Sequence, residues 1–235
     1  MNFSYKCKTI ITLVVMVFCF QEAHAQRSLY TVSINSSITT SSRLYYNPFD
    51  PDELLRNQSL LLSGVWGFGV DIRRGFENSN IQVGISAEYL WSQEEIVIPA
   101  NPNNVITEDG FVAVPVEFSG YFSIPFSSES FRMYMGGGVG VYFGERQYTY
   151  AGIPSKVTER NPGIGIHVLS GFEFGLFPNV ALRTELKFRD VQFDSTNVFP
   201  PQSITGSTIH PDEPPFASRM SIDGILFNLG LVYQF

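Results

Sequence analysis

Along most of this chain apolar and polar side chains alternate with a period of two, the signature of strands whose two faces meet different surroundings. Eight such segments can be marked, at 29–40, 59–73, 80–93, 110–124, 131–148, 163–177, 179–193 and 221–235. In the second, Leu60, Leu62, Trp66, Phe68, Val70 and Ile72 oppose Ser63, Gly67, Gly69 and Asp71. In the third, Ile81, Val83, Ile85, Ala87, Tyr89 and Trp91 oppose Gln82, Gly84, Ser86 and Glu88. The seventh sets Val180, Leu182, Leu186 and Phe188 against Arg183, Glu185, Lys187 and Arg189. At about a dozen residues each, the segments exceed the roughly 5–6 of a mean soluble strand. They meet the roughly 9–11 that a tilted strand needs to cross a bilayer.

The connections alternate as well. Glu77-Asn78-Ser79, Ser127-Ser128-Glu129-Ser130 and Pro178-Asn179 are short, whereas 41–58, 94–109, 149–162 and 194–220 are long. Short turns at one end and long loops at the other are what a transmembrane barrel requires. An even strand count then places both chain ends on the short-turn, periplasmic side.

Composition points the same way. Only 16% of the 235 residues are charged, while 14% are aromatic, with 21 Phe and 11 Tyr. Soluble proteins carry roughly 25% charged residues, so part of this exterior is expected not to face water. No apolar run reaches the 18 residues that a membrane helix needs, which leaves strands as the way across. A soluble β-protein would bury Trp66, Phe68, Trp91, Phe172, Phe174, Phe227 and Tyr233 and turn the charged face outward.

Residues 1–25 read as a cleavable secretory leader: Lys6 and Lys8, an apolar stretch over 10–20, and Ala23-His24-Ala25 before Gln26. Cys7 and Cys19, the two cysteines of the chain, both lie in it, so residues 26–235 offer no disulfide or thiolate chemistry. Of 15 basic and 22 acidic residues, Lys6, Lys8 and Glu22 go with the leader, leaving 13 against 21, a net of −8. That balance argues against nucleic acid as a partner.

The chain ends Asn228-Leu229-Gly230-Leu231-Val232-Tyr233-Gln234-Phe235. With the leader and the eight alternating segments, this ending resembles the small eight-stranded outer-membrane barrels of the OmpA and OmpX type. The resemblance lies in architecture and terminal signal, not in a long shared motif. It implies an all-β, eight-stranded antiparallel up-and-down transmembrane β-barrel over 26–235, without the periplasmic domain of the OmpA family. It further implies that Asn228, Gly230, Tyr233 and Phe235 form the signal read by the barrel-assembly machinery, with periplasmic chaperones escorting the chain. Outer-membrane lipid or lipopolysaccharide is then the surrounding partner, and a monomer is expected.

With the apolar faces on lipid, Asp71, Arg73, Glu88, Glu117, His167, Glu173, Arg183, Glu185 and Lys187 point into the lumen. Buried charges must pair or stay hydrated, and eight strands enclose a bore that side chains mostly fill. A structural plug is therefore expected, with Gly136, Gly138 and Gly140 leaving room for water or for Tyr134 and Tyr142. The alternative is a small gated pore, with Glu117 and Glu185 against Arg183 or Lys187 as gate pairs.

A lipid A-modifying enzyme is a third reading, and a weaker one. His167 and Ser170 fall on opposite faces of one strand, and His210 sits in a Pro-rich loop. Asp50, Asp52 and Glu53, like Asp212 and Glu213, lack the spacing of a calcium loop. Neither Gly67-x-Gly69 nor 136–140 precedes the helix that a phosphate cradle needs. No enzymatic activity, cofactor or metal is expected; the long loops are the remaining functional surface.

Overall fold

Each alternating segment finds a hydrogen-bonded neighbour on both sides, and the last returns to the first. The structure, a computed structural model, describes residues 30–77, 79–99, 104–125, 131–200 and 215–235. The expected leader with its two cysteines, the turn at 127–130, and His210, Asp212 and Glu213 lie outside the described residues. The strands are β1 (Tyr30–Tyr45), β2 (Ser59–Gly75), β3 (Ile81–Ile98), β4 (Val105–Ser123) and β5 (Phe131–Tyr150). They continue with β6 (Ile153–Pro154), β7 (Lys156–Asn161), β8 (Gly163–Phe177), β9 (Val180–Val198), β10 (Phe216–Ile222) and β11 (Ile225–Gln234). One short helix, α1 (Glu53–Arg56), sits between β1 and β2, with the Asp52 side chain accepting from the Leu54 amide.

All pairings are antiparallel, and β1 closes the sheet by pairing with β2 on one side and β11 on the other. β7 and β8 pair in turn with β9 and form one strand interrupted at Pro162, which has no N–H to offer a ladder. β10 and β11 likewise pair in turn with β9, interrupted at Asp223-Gly224. Counted this way, β1, β2, β3, β4, β5, β7/β8, β9 and β10/β11 form an eight-stranded antiparallel barrel, with β6 a short return on β5. Among the described residues no helix is long and apolar enough to cross a membrane.

The two faces part as the alternation requires. Trp66, Phe68, Val70, Ile72, Ile85, Phe118, Val139, Ile166, Phe188 and Phe227 are exposed on the outside, while Asp71, Arg73, Glu117, Arg183 and Glu185 are buried within. From Ile81 to Trp91 the outward face of β3 is apolar; ten rises of about 3.4 Å, tilted by about 40°, give a band roughly 25 Å tall. Trp66 and Trp91 are cross-strand partners at its upper rim. Tyr30, Tyr233 and Phe235 stack at the lower rim. Just above the band polar residues turn outward as Arg43–Asp223, Glu145–Arg160 and Asp194–Arg219 pairs, together with Glu95 and Glu108.

Several local expectations are corrected. The long connections are largely strand: β1 runs to Tyr45, β3 to Ile98, β5 to Tyr150 and β9 to Val198, and β10 starts at Phe216 within the expected loop 194–220. Leu62 points into the barrel, not outward with Trp66. The inside–outside phase of β2 slips at Gly64, whose φ of +69° suits a residue without Cβ. β1 slips opposite it, since Thr39 and Ser42 are both buried. The β5–β6 turn is Ala151-Gly152, with φ of 51° and 79°, the two left-handed positions of a tight hairpin.

Two glycines give a direct check on this packing. A Cβ at Gly138 would overlap the carbonyl oxygen of Phe118 on β4, whereas one at Gly120, on the lipid side, would meet nothing within 4 Å. Gly138→Ala should therefore cost about 1–3 kcal/mol, the range for overpacking, and Gly120→Ala should cost none. Urea unfolding in lipid vesicles, followed by tryptophan fluorescence, reads both.

Candidate functional site: the barrel interior and the hairpin crown

Side chains from every wall strand meet inside, in layers. Nearest the short-turn end, Arg183 of β9 lies between two acids. Its Nη1 donates to Asp71 Oδ1 and Oδ2 at 2.7 and 2.8 Å, and its Nη2 to Glu173 at 2.7 Å. Arg73 donates to Asp71 and to Glu185, both at 2.6 Å, and its guanidinium lies 3.9 Å from the Tyr121 ring centroid. Tyr134 and Asn228 also donate to Glu185, at 2.6 and 3.0 Å.

One layer higher, Lys187 donates to Glu117 at 2.6 Å and lies 3.5 Å from Glu88. Arg189 donates to Glu88 at 3.0 Å. All eight expected lumen charges thus lie inside and are joined, but not always in the expected pairs. Glu117 does meet Lys187, whereas Glu185 meets Arg73 while Arg183 serves Asp71 and Glu173. Arg73 Nη1, Arg189 Nη1 and Asn228 Oδ1 are buried without a hydrogen-bond partner among the described residues. Groups of that kind are ordinarily satisfied by water. The room beside the glycines is taken in part as expected: Tyr142, together with Glu117, lies against Gly140, whereas Tyr121 lies against Gly136 and Tyr134 against Gly171.

Above the charges the lumen changes character. Leu90 and Ala113 from β3 and β4, Phe111, Val191 and Phe193, and Met220 and Ile222 of β10 pack with Leu44, Leu62, Val65 and Tyr142 into one buried apolar collar. The glycines of the β5–β8 wall make the room for it. A Cβ at Gly144 would overlap the Phe193 ring, and one at Gly165 would stand 2.6 Å from Val191 Cβ. This collar was not expected; the expectation was a plug of paired charges.

Over the collar sits a second polar cluster, also unexpected. Arg146 holds Asp109 through two bonds of 2.8 and 2.6 Å and donates to Ser218 at 2.8 Å. Tyr46, Tyr148 and Phe216 surround its guanidinium at 5.2, 4.4 and 5.5 Å. Burial pushes the Tyr46 phenol above its ordinary range, with the Asp109 carboxylate adding to the shift and Arg146 opposing it. The wall here is a seam. The β5–β8 ladder ends at Tyr142 and Gly163 and pairing with β5 resumes only at Thr149 and Pro154. Side chains of β9 bridge the interval: the Arg146 amide donates to Ser195 Oγ at 3.0 Å, and its carbonyl accepts from Asn197 at 3.1 Å.

For chemistry, the notable contact is Ser119 Oγ to His167 Nε2 at 2.8 Å. His167 Nδ1 faces Glu117 at 3.9 Å, beyond hydrogen-bond reach, and has no hydrogen-bond partner among the described residues. The Glu117 carboxylate is already held by Lys187 and Tyr142. The serine that meets His167 comes from β4, a strand away; Ser170 points outward, as its parity required. A working triad needs the acid bonded to the histidine and a place for the substrate carbonyl. Here the acid is committed elsewhere and all three side chains are buried. Among the described residues no group of three or more His, Asp or Glu is placed to hold a metal. The terminal-signal residues divide: Asn228 and Gly230 face the lumen, the latter tight against Asn35, while Tyr233 and Phe235 stack at the lower rim.

No protein-family model matches the chain, and no curated protein does. Solved structures do resemble it. The outer membrane protein OprG from Pseudomonas aeruginosa superposes with a TM-score of 0.57 at 10% identity, over 89% of this chain and 97% of that one. Neisserial surface protein A gives a TM-score of 0.45 at 13% identity, over 89% and 99%. Ail, the attachment invasion locus protein of Yersinia pestis, solved with the heparin analogue sucrose octasulfate, gives 0.42 at 15%, over 88% and 97%. At 10% identity the likeness to OprG is one of fold, and the fold is that of an outer-membrane β-barrel.

Proposed function

We propose that the protein is a non-conducting, non-enzymatic barrel of the outer membrane that acts through the hairpins above its lipid band. The observation that carries this reading is the apolar collar. It lies across the bore between two polar clusters, and an ion crossing it would lose its hydration without replacement. In the charged layers below each acid meets a base, and these pairs serve as filling that fixes the strands around them. In this reading the apolar band meets outer-membrane lipid or lipopolysaccharide, β11 is the strand that the assembly machinery and periplasmic chaperones recognise, and the protein works as a monomer. A leader cleaved after Ala25 would deliver it.

Three measurements test the reading. In planar bilayers the refolded protein should give no ion steps, and Glu117→Ala should stay silent. Replacing the collar with Leu90→Ser, Phe111→Ser and Phe193→Ser together should open a current. Steps in the wild-type protein, or steps on Glu117→Ala alone, would reinstate the gated pore.

Arg183→Met removes the base that Asp71 and Glu173 share, leaving Asp71 to Arg73 and Glu173 to the half-exposed Arg132, and should cost roughly 3–5 kcal/mol in urea unfolding. Adding Asp71→Asn and Glu173→Gln should recover most of that loss. A barrel indifferent to all three changes would show that the charges do not hold the wall. Lipid A from cells with and without the protein should have the same mass spectrum; an acyl chain gained or lost, and abolished by Ser119→Ala, would establish an enzyme.

A further inference from the structure

Besides the seam between β5 and β7, the wall has a second break, where two hairpins of the crown part from each other. The β2–β3 ladder ends at Trp66 and Trp91. Both strands go on: β2 stays paired with β1 as far as Ser59 and Tyr45, and β3 with β4 as far as Ile98 and Val105. Each therefore has a stretch of about seven residues with a strand neighbour on one side only. Gly64, at a φ of +69°, marks the place where β2 turns aside.

The polarity of the β2 edge follows from one bond. The Tyr46 amide donates to the Gln58 carbonyl, so between Ser59 and Ser63 the even-numbered backbone groups of β2 face β1. Backbone groups alternate in direction along a strand, so those of Leu61 and Ser63 face the gap. At Ser63 a side chain stands in for the missing strand: Glu94 accepts from its amide at 3.2 Å and its hydroxyl at 2.9 Å.

What surrounds this gap is unlike the rest of the crown. Among the described residues, every exposed large apolar side chain level with or above the outward charges lies on these two hairpins: Leu61 at 61%, Val97 at 50% and Ile106 at 52%, with Ile98, and with Phe49, Leu54 and Leu55 on the β1–β2 connection. The charges differ too. Glu145, Asp194 and Asp223 each meet an arginine. Glu95 instead stands directly opposite Glu108, a like-charge pair that is unfavourable across strands. Gln93 donates to Glu108 at 2.9 Å, and no ion pair forms at either acid among the described residues.

We propose that the open β2 and β3 edges beyond Trp66 and Trp91 take up an extended segment of another protein, one that alternates basic and apolar residues. The proposal rests on the surface-interaction reading above. An open strand edge offers main-chain hydrogen bonds that only an extended chain can use. Glu95 and Glu108 call for cations on one face of that chain, and Val97, Leu61 and Ile106 for apolar side chains between them. Glu94 leaves Ser63 as the incoming strand arrives. An anionic lipid surface would be repelled by the same acids.

The test uses the full barrel refolded in uncharged detergent and a synthetic heptapeptide alternating Lys and Val. Calorimetry should give saturable binding, at least tenfold weaker when alternate peptide nitrogens are methylated and absent for an alternating Glu and Val peptide. Glu95→Lys with Glu108→Lys should weaken binding at least tenfold while the protein keeps its heat-modifiable migration. If that variant does not refold, Glu95→Gln with Glu108→Gln serves, with the same direction. Amide exchange should slow at Leu61 and between Gln93 and Val97.

Equal binding of the methylated peptide, no effect of the glutamate substitutions, or binding to phosphatidylglycerol vesicles in place of the peptide would each overturn the proposal. Current through the wild-type barrel would refute the sealed lumen while leaving the titration intact. A silent barrel that ignores the peptide refutes the docking site alone.

Discussion

Every backbone amide and carbonyl that lies in hydrocarbon must find its partner within the protein, and a strand can meet that demand only if its sheet has no end. The pairing of Thr31 with Gln234 and of Tyr30 with Arg74, on the two sides of β1, is where this chain meets it. Closure then dictates the rest. Once the ring is shut, one side chain in two must face lipid and the next must face a narrow bore, so the usual arrangement of apolar inside and polar outside is inverted through the band. Above the band the demand lapses, because water can satisfy an open edge. That is where β2 leaves β3, and where β7 leaves β5.

The inversion is itself incomplete, and its limits are informative. Burying charges is tolerable near the short-turn end because each acid meets a base: Asp71 and Glu173 share Arg183, and Glu185 takes Arg73. An aqueous bore would need such groups to remain loosely held along its whole length. Instead the interior becomes apolar at Leu90, Phe111 and Phe193, at a level where β5 and β8 contribute glycines at 144, 163 and 165. Large rings from one side fill the space that absent side chains leave on the other. This is core packing of the ordinary kind, set inside a membrane barrel.

How much of this could be read beforehand depends on whether a feature repeats locally. Strand number, facing and the lumen position of Asp71, Glu117 or Arg183 follow from parity, which needs only the neighbours in sequence. Phase slips do not. Leu62 and Trp66 share a parity, yet Gly64 places them on opposite faces, and a glycine in a strand carries no sign of which way the count will shift. The collar was hidden because Leu90 and Phe111 are apolar residues at inward positions, where the alternation leads one to expect polar ones. Contacts across the bore, such as Lys187 with Glu117 or Arg189 with Glu88, depend on the stagger between strands. Parity fixes the face of a residue, not its height against a distant strand.

A filled interior also bears on what the crown can do. Binding residues are most effective when a rigid scaffold holds them, and here the Phe193 and Met220 side chains reach the collar from the same strands that rise into the hairpins above it. A water-filled bore would leave those hairpins anchored only along their ladders. The collar ties β1, β2, β3, β4, β5, β9 and β10 together at the level where β2 and β3 separate, with Leu90 just below the last paired residues and Val65 and Leu62 just beyond them. The base of the gap is therefore flanked on both edges by side chains, Leu62 and Val65 of β2 and Leu90 of β3, that are packed into one layer. Sealing the lumen and presenting the open edges are, on this account, two consequences of the same apolar layer.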